Sequence, residues 1–218
     1  LKYQQAALLD AAEDEAADRA ERARGVIRLT GAPFGQIVQE SAMGGPLIDI
    51  SADTFSRDDA FGRRVREVAA RLDEANRFEE LIHTLPLGAP VAVPFWETSG
   101  FGNRVDPFNR RLAWHEGADF AAYPGAPIVA TAPGTVSFAG TKSSYGRVVE
   151  IDHGGGFKTR FAHLQTITVT AGSKVAIGQK IGTMGSTGRS TGPHLHYEVY
   201  FRTKAYDPMK FLRAGRHV

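Results

Sequence analysis

Residues 193–200 read Pro-His-Leu-His-Tyr-Glu-Val-Tyr, and the reading of this stretch decides the fold of the chain's second half. Its apolar residues alternate with polar ones and predict a strand over 194–201. In a strand, side chains two apart share a face, about 6.5–7 Å from each other along it. His194 and His196 then face one pocket. Divalent metals take imidazole nitrogens at about 2.0–2.1 Å, so one of the two can bind a metal while its neighbour stands beside an open coordination position. Taken alone, the pair fits a structural or accidental placement equally well.

The surroundings of this strand are β-rich. Short apolar or alternating runs at 90–95, 128–131, 135–139, 147–152, 157–163, 167–169, 174–175 and 180–184 are separated by Gly, Pro and Asn. Gly154-Gly155-Gly156 links two of them as a hairpin turn would. Asp207-Pro208 followed by Met209–Leu212 reads as a final helical turn. There is no βαβ spacing and no glycine-rich phosphate loop, so residues 87–218 are expected to form a mostly antiparallel β domain.

Five of the seven histidines lie between 115 and 196, inside this domain. His115 and Asp119 stand four apart. Gly117 argues against a helix there, and a turn into a strand can converge the same side chains. Imidazole with carboxylate suits zinc. Glu116 is an alternative oxygen ligand, and a surface role fits either acid. His163 ends an alternating run, which leaves its face open. His153 reads as a loop residue, and His83 and His217 have no company. One His, one Asp and a second His supply three protein ligands and leave a fourth position for water, the pattern of a catalytic zinc site. Zinc would bring that water toward a pKa of about 7 and polarise a carbonyl. Two more histidines, His163 and His194, are then available as general base and oxyanion stabiliser.

Before residue 87 the pattern is helical. Residues 2–29 are rich in Ala, Glu, Asp and Arg, with Gly25 alone as a breaker. Phe61, Val65, Val68, Leu72 and Ala75 follow heptad spacing, so a second helix is expected over 57–85, with Ser56 or Asp58 as N-cap and Pro86 as terminator. The connector 30–56 holds several Gly and Pro. The expectation is an α+β chain, in which a two-helix coiled-coil-like arm (1–86, helices paired antiparallel) precedes the β domain (87–218). A connector this long also suits a lid over the groove.

Bulk properties narrow the class. The chain has 218 residues with 42% hydrophobic and 23% charged, ordinary for a globular protein. A net charge of +2 gives no argument for nucleic acid. The absence of cysteine removes disulfides and thiolate ligands together. The chain begins at Leu1 rather than Met, which reads as a fragment or processed chain with any membrane anchor upstream.

Several ordered stretches, Thr98–Pro107, His115-Glu-Gly-Ala-Asp119, Tyr145-Gly146, Phe161-Ala-His-Leu164 and Gly185–Val199, resemble the lysostaphin-like, LytM-type zinc endopeptidases. The resemblance covers about 94–212. It implies a groove floored by an antiparallel sheet, with one zinc per chain held by His115, Asp119 and His196, and with His163 and His194 in catalysis. Tyr145 is expected to line the groove as a substrate contact, or to serve in packing. The family cuts peptide bridges of peptidoglycan; in Gram-negative relatives this is the D-alanyl to diaminopimelate crosslink, and some Gram-positive relatives cut glycine bridges. A periplasmic, envelope-located, inner-membrane-anchored protein that meets an envelope or division partner through its coiled coil is the implied setting. Phe161 departs from the family, where Tyr is frequent. Some relatives have lost metal ligands and only activate cell-wall amidases; all five residues are present here, so that is the alternative reading.

Overall fold

The computed structural model describes residues 2–33, 35–37, 60–107 and 109–218. From Lys2 to Leu29 the chain has no proline, and its alanines and long charged residues form one helix, α1. It stops at Thr30–Gly31, where Gly31 adopts φ 70° and its N–H bonds to the Arg28 carbonyl. The second helix, α2, runs Ala60–Thr84 and ends before Pro86. The cap candidates Ser56 and Asp58 and most of the suggested lid lie outside the described residues.

The two helices pack in parallel, not antiparallel. Asp10 and Glu13 pair with Arg64 and Arg71, and Arg19 and Arg24 with Glu79 and Glu74, so the first half of α1 faces the first half of α2 and the second half faces the second. A short loop would force antiparallel neighbours. Residues 38–59 leave enough chain to return along a 25-residue helix, about 37 Å long. The parallel arrangement sets acidic residues of the first half of α1 against arginines of α2, and Arg19 and Arg24 against Glu79 and Glu74.

Small residues let the helices approach. Ala16, Ala20, Ala23 and Ile27 form a buried stripe against Ala75, Phe78 and Leu81. The same core continues into Phe157, Phe201 and Phe211 of the β domain. Burying each such aromatic contributes about 1.5–3 kcal/mol. Both helix C-termini meet the domain: Gly31 lies against Lys210, and Thr84 and Leu81 lie against Gly155. Among the described residues no helix is long and apolar enough to cross a membrane.

The domain contains strands β1 (Trp96–Ser99), β2 (Gly102–Val105), β3 (Leu112–His115), β4 (Ala118–Ala121), β5 (Pro127–Val129), β6 (Gly134–Lys142), β7 (Gly146–Gly154), β8 (Phe157–Ile167), β9 (Lys174–Val175), β10 (Lys180–Met184), β11 (Leu195–Phe201) and β12 (Lys204–Tyr206). The main sheet runs β1-β4-β11-β8-β7-β6-β9 and all its pairs are antiparallel. β12 joins β11, β10 joins β5 and β8, and β2–β3 form a separate hairpin. The three glycines of the β7–β8 turn all have positive φ, which accounts for their run. The expected strand at 90–95 is reduced to one bridge at Val91, because Pro90 and Pro94 have no N–H to donate to a ladder. The last turn is a helix, α3 (Pro208–Ala214), capped by the Asp207 side chain, which accepts from the Met209 N–H at 2.9 Å.

On β11, Leu195, Tyr197, Val199 and Phe201 enter the core, leaving His196, Glu198 and Tyr200 on the opposite face. On β8, Phe157, Thr159 and Phe161 are buried, while Lys158 and Arg160 take the other side. That second face floors a groove of about 810 Å³.

Candidate metal centre and active site

Two sheets meet at the site. His115 is the last residue of β3 and Asp119 lies in β4, so the turn Glu116–Gly117 carries the chain from the hairpin into the main sheet. A Cβ at Gly117 would stand 2.4 Å from the Tyr197 carbonyl oxygen and 2.9 Å from His196 Cε1. Only glycine lets this turn lie so close to β11. Asp119 is the direct cross-strand partner of His196, which pairs on its other side with Ala162.

The donor atoms converge. His115 Nε2 lies 3.0 Å from His196 Nδ1, His196 Nδ1 lies 2.8 Å from Asp119 Oδ1, and His115 Nε2 lies 3.2 Å from the same oxygen. A tetrahedral zinc with bonds of about 2.0–2.1 Å has ligand–ligand edges of about 3.3–3.4 Å, close to this triangle. The other nitrogen of each ring fixes its tautomer. His115 Nδ1 donates to the Gly100 carbonyl at 2.7 Å, and His196 Nε2 donates to Glu198 Oε1 at 2.9 Å. Both rings therefore turn their second nitrogen inward, toward one carboxylate oxygen. Two imidazole nitrogens and a carboxylate oxygen packed this closely call for positive charge among them, as protons or as a metal ion.

Acid–base behaviour shows the same demand for positive charge. Burial opposes a charge on His196, yet Asp119 and Glu198 raise its pKa to about 9. Burial would raise Asp119, but its hydrogen bonds with His115 and His196 hold it far below the usual carboxylate range. Arg104 Nη1 donates to Asp119 Oδ2 at 2.7 Å, leaving Oδ1 for the centre.

His163 and His194 stand beside this triangle, with ring centroids 4.8 Å apart. Strict alternation would send His163 into the core with Phe161. Instead β8 carries an extra residue between Phe161 and Leu164 opposite β7, a bulge, and His163 takes φ 59°. The bulge turns the ring into the groove, which is why the sequence pattern left its face open. His163 Nδ1 donates to the Thr187 carbonyl at 2.7 Å, and His194 Nδ1 to the Gly192 carbonyl at 2.8 Å. With Nδ1 so engaged, each ring in its neutral form has its lone pair on Nε2. Burial lowers the pKa of His163 to about 4, so this ring is neutral at physiological pH.

Tyr145 lines the groove, but its hydroxyl donates to Glu198 Oε1 at 3.0 Å and its ring lies over Arg160. Glu116 is exposed and lies 3.2 Å from the Tyr200 hydroxyl, outside the triangle. His153 is buried on β7, both nitrogens engaged by Pro133 and Thr159. Glu198, Arg160 and Arg104 are participants that sequence reasoning missed. A signal for Glu198 was present, since it sits two residues beyond His196 in the same strand. The arginines come from distant strands and had none.

Peptidase family M23 matches residues 113–208. The DD-carboxypeptidase/endopeptidase Mpg of Neisseria meningitidis is 43% identical over 112 residues, 51% of this chain and 26% of that protein. The murein hydrolase activator NlpD of Salmonella dublin is 36% identical over 125 residues, 57% of this chain and 32% of that protein. The chain thus spans about a quarter to a third of the length of these relatives. The catalytic domain of the antimicrobial peptidase lysostaphin from Staphylococcus simulans superposes with a TM-score of 0.50 at 32% identity, covering 55% of this chain and 92% of that domain.

Proposed function

This chain belongs to peptidase family M23, and on that premise we propose that it is a one-zinc endopeptidase cutting peptide crosslinks of peptidoglycan, at the D-alanyl–diaminopimelate bond. The observation that carries the reading is the convergence of three ligand-type atoms, from His115, Asp119 and His196, with edges near those of a zinc tetrahedron. These three residues would hold the ion. When bound, zinc supplies Lewis acidity, bringing a water toward a pKa of about 7 and polarising a carbonyl.

The chain's own groups handle the protons. His163 and His194 each turn Nε2 to the groove, with the Nδ1 proton anchored on a backbone carbonyl. Either ring can accept the proton of an attacking water at Nε2. A ring so protonated becomes an N–H donor to the developing oxyanion or the leaving amine. Arg104 keeps Asp119 oriented and balances its charge.

A second reading draws on the similarity to the activator NlpD: a chain that cleaves nothing and stimulates a cell-wall amidase through its helices. Under either reading we place the protein in the bacterial envelope, on the periplasmic side, with an envelope or division protein as partner of the two-helix arm. No residue before Thr98 lines the groove among those described, so α1 and α2 themselves do not cover it. Incubation with purified sacculi, followed by mass analysis of the released fragments, tests the proposal. New D-alanyl termini that vanish after chelation and return with zinc support it. Intact sacculi together with amidase stimulation would transfer the role to the regulator.

A further inference from the structure

Glu198 is the most fully buried charge in the groove floor, with no exposed surface. Each carboxylate oxygen takes two donors. Oε1 accepts from His196 Nε2 at 2.9 Å and the Tyr145 hydroxyl at 3.0 Å. Oε2 accepts from Arg160 Nη1 at 2.7 Å and the Tyr200 hydroxyl at 2.8 Å. Four donors saturate a carboxylate. Arg160 also bonds Glu150 at 2.6 Å and lies between the rings of Tyr145 and Tyr200. A buried charge is costly, and here four side chains offset that cost. Of its four partners, His196 alone belongs to the donor triangle.

We propose that Glu198 is a positioning residue that holds the proton of His196 on Nε2, and so aims the Nδ1 lone pair at the metal site. This rests on reading the triangle as a metal centre. The contrast with His115 supports it. That ring also has its tautomer fixed by its outer nitrogen, but a backbone carbonyl serves there. A backbone carbonyl comes with the fold, whereas a carboxylate in this place needs its own cradle. A carboxylate behind a ligating imidazole both orients the ring and raises its basicity. The proposal also moves Tyr145 from substrate contact to cradle, since its hydroxyl is engaged by Glu198.

Glu198→Gln tests this. Arg160 would draw the amide oxygen, turning the NH2 toward His196 Nε2, which favours a proton on Nδ1 instead. Zinc affinity, measured by competition with a chromophoric chelator, should fall about 10–100-fold. Unchanged affinity in a folded variant would overturn the proposal, as would a lowered melting temperature of the metal-free protein with zinc binding intact. A measurement on the unmodified protein guards against a variant that does not fold. In long-range 1H–15N spectra of the zinc-loaded chain, His196 should carry its proton on Nε2, and a proton on Nδ1 would refute the assignment. Zinc binding as expected with intact sacculi would instead count against the endopeptidase reading and leave Glu198's role standing.

Discussion

The helical arm and the groove floor both rest on charge pairs, and they use them differently. In the arm, Arg19–Glu79, Arg24–Glu74 and Arg64–Asp10 sit at the surface of an alanine-lined seam. Water could replace any of these partners, so the pairs set which helix faces which and add little stability. In the groove, Asp119 and Glu198 are withdrawn from water, and every oxygen has a protein donor or faces the donor triangle. Removing one member there strands its partner without solvent. The same residue types therefore encode orientation in one region and chemistry in the other.

The sharpest way to break this comparison is at Asp119. Asp119→Ala removes the proposed oxygen ligand and strands Arg104, so zinc content should drop from an expected one per chain to a small fraction, read by elemental analysis. A variant that keeps full zinc would dissolve the distinction between the two regions. Next in size is His194→Ala, which leaves the triangle intact. Turnover on sacculi should fall about 10²–10⁴-fold while zinc affinity changes only a few-fold. Gly117→Ala tests the close approach of the turn to β11. The clash with the Tyr197 carbonyl should cost about 1–3 kcal/mol in chemical denaturation. The smallest effect belongs to the arm. Arg24→Ala loses a surface pair with Glu74 and a cation–ring contact with Phe78, and should cost under about 1 kcal/mol. A loss several times larger would mean that the arm's charges carry stability after all.

Much of the fold was legible because its signals are local. Alanine-rich helix sequence, Pro86 as a stop, the triple-glycine turn and the alternation of β11 each depend on neighbours within a few residues. The short strands β2, β3 and β4, which deliver His115 and Asp119, lack a run long enough to show a period. Helix direction is not legible in the sequence because the two helices carry no short-range information about each other; the charge pairs between them set it.

By itself, the sequence determined the cast of the site: two histidines on one strand face, a His and an Asp four apart, and a further His after an alternating run. It did so because period and spacing are properties of the local backbone. Tertiary structure alone decided how they act. Opposite register brings Asp119 against His196, a bulge turns His163 from core to groove, and Arg160 from β8 and Tyr145 from the turn between β6 and β7 make a buried Glu198 tolerable. Those relations depend on which strands pair and where an extra residue enters a ladder, and such choices follow from the free energy of the whole packed sheet, not from any one stretch of chain.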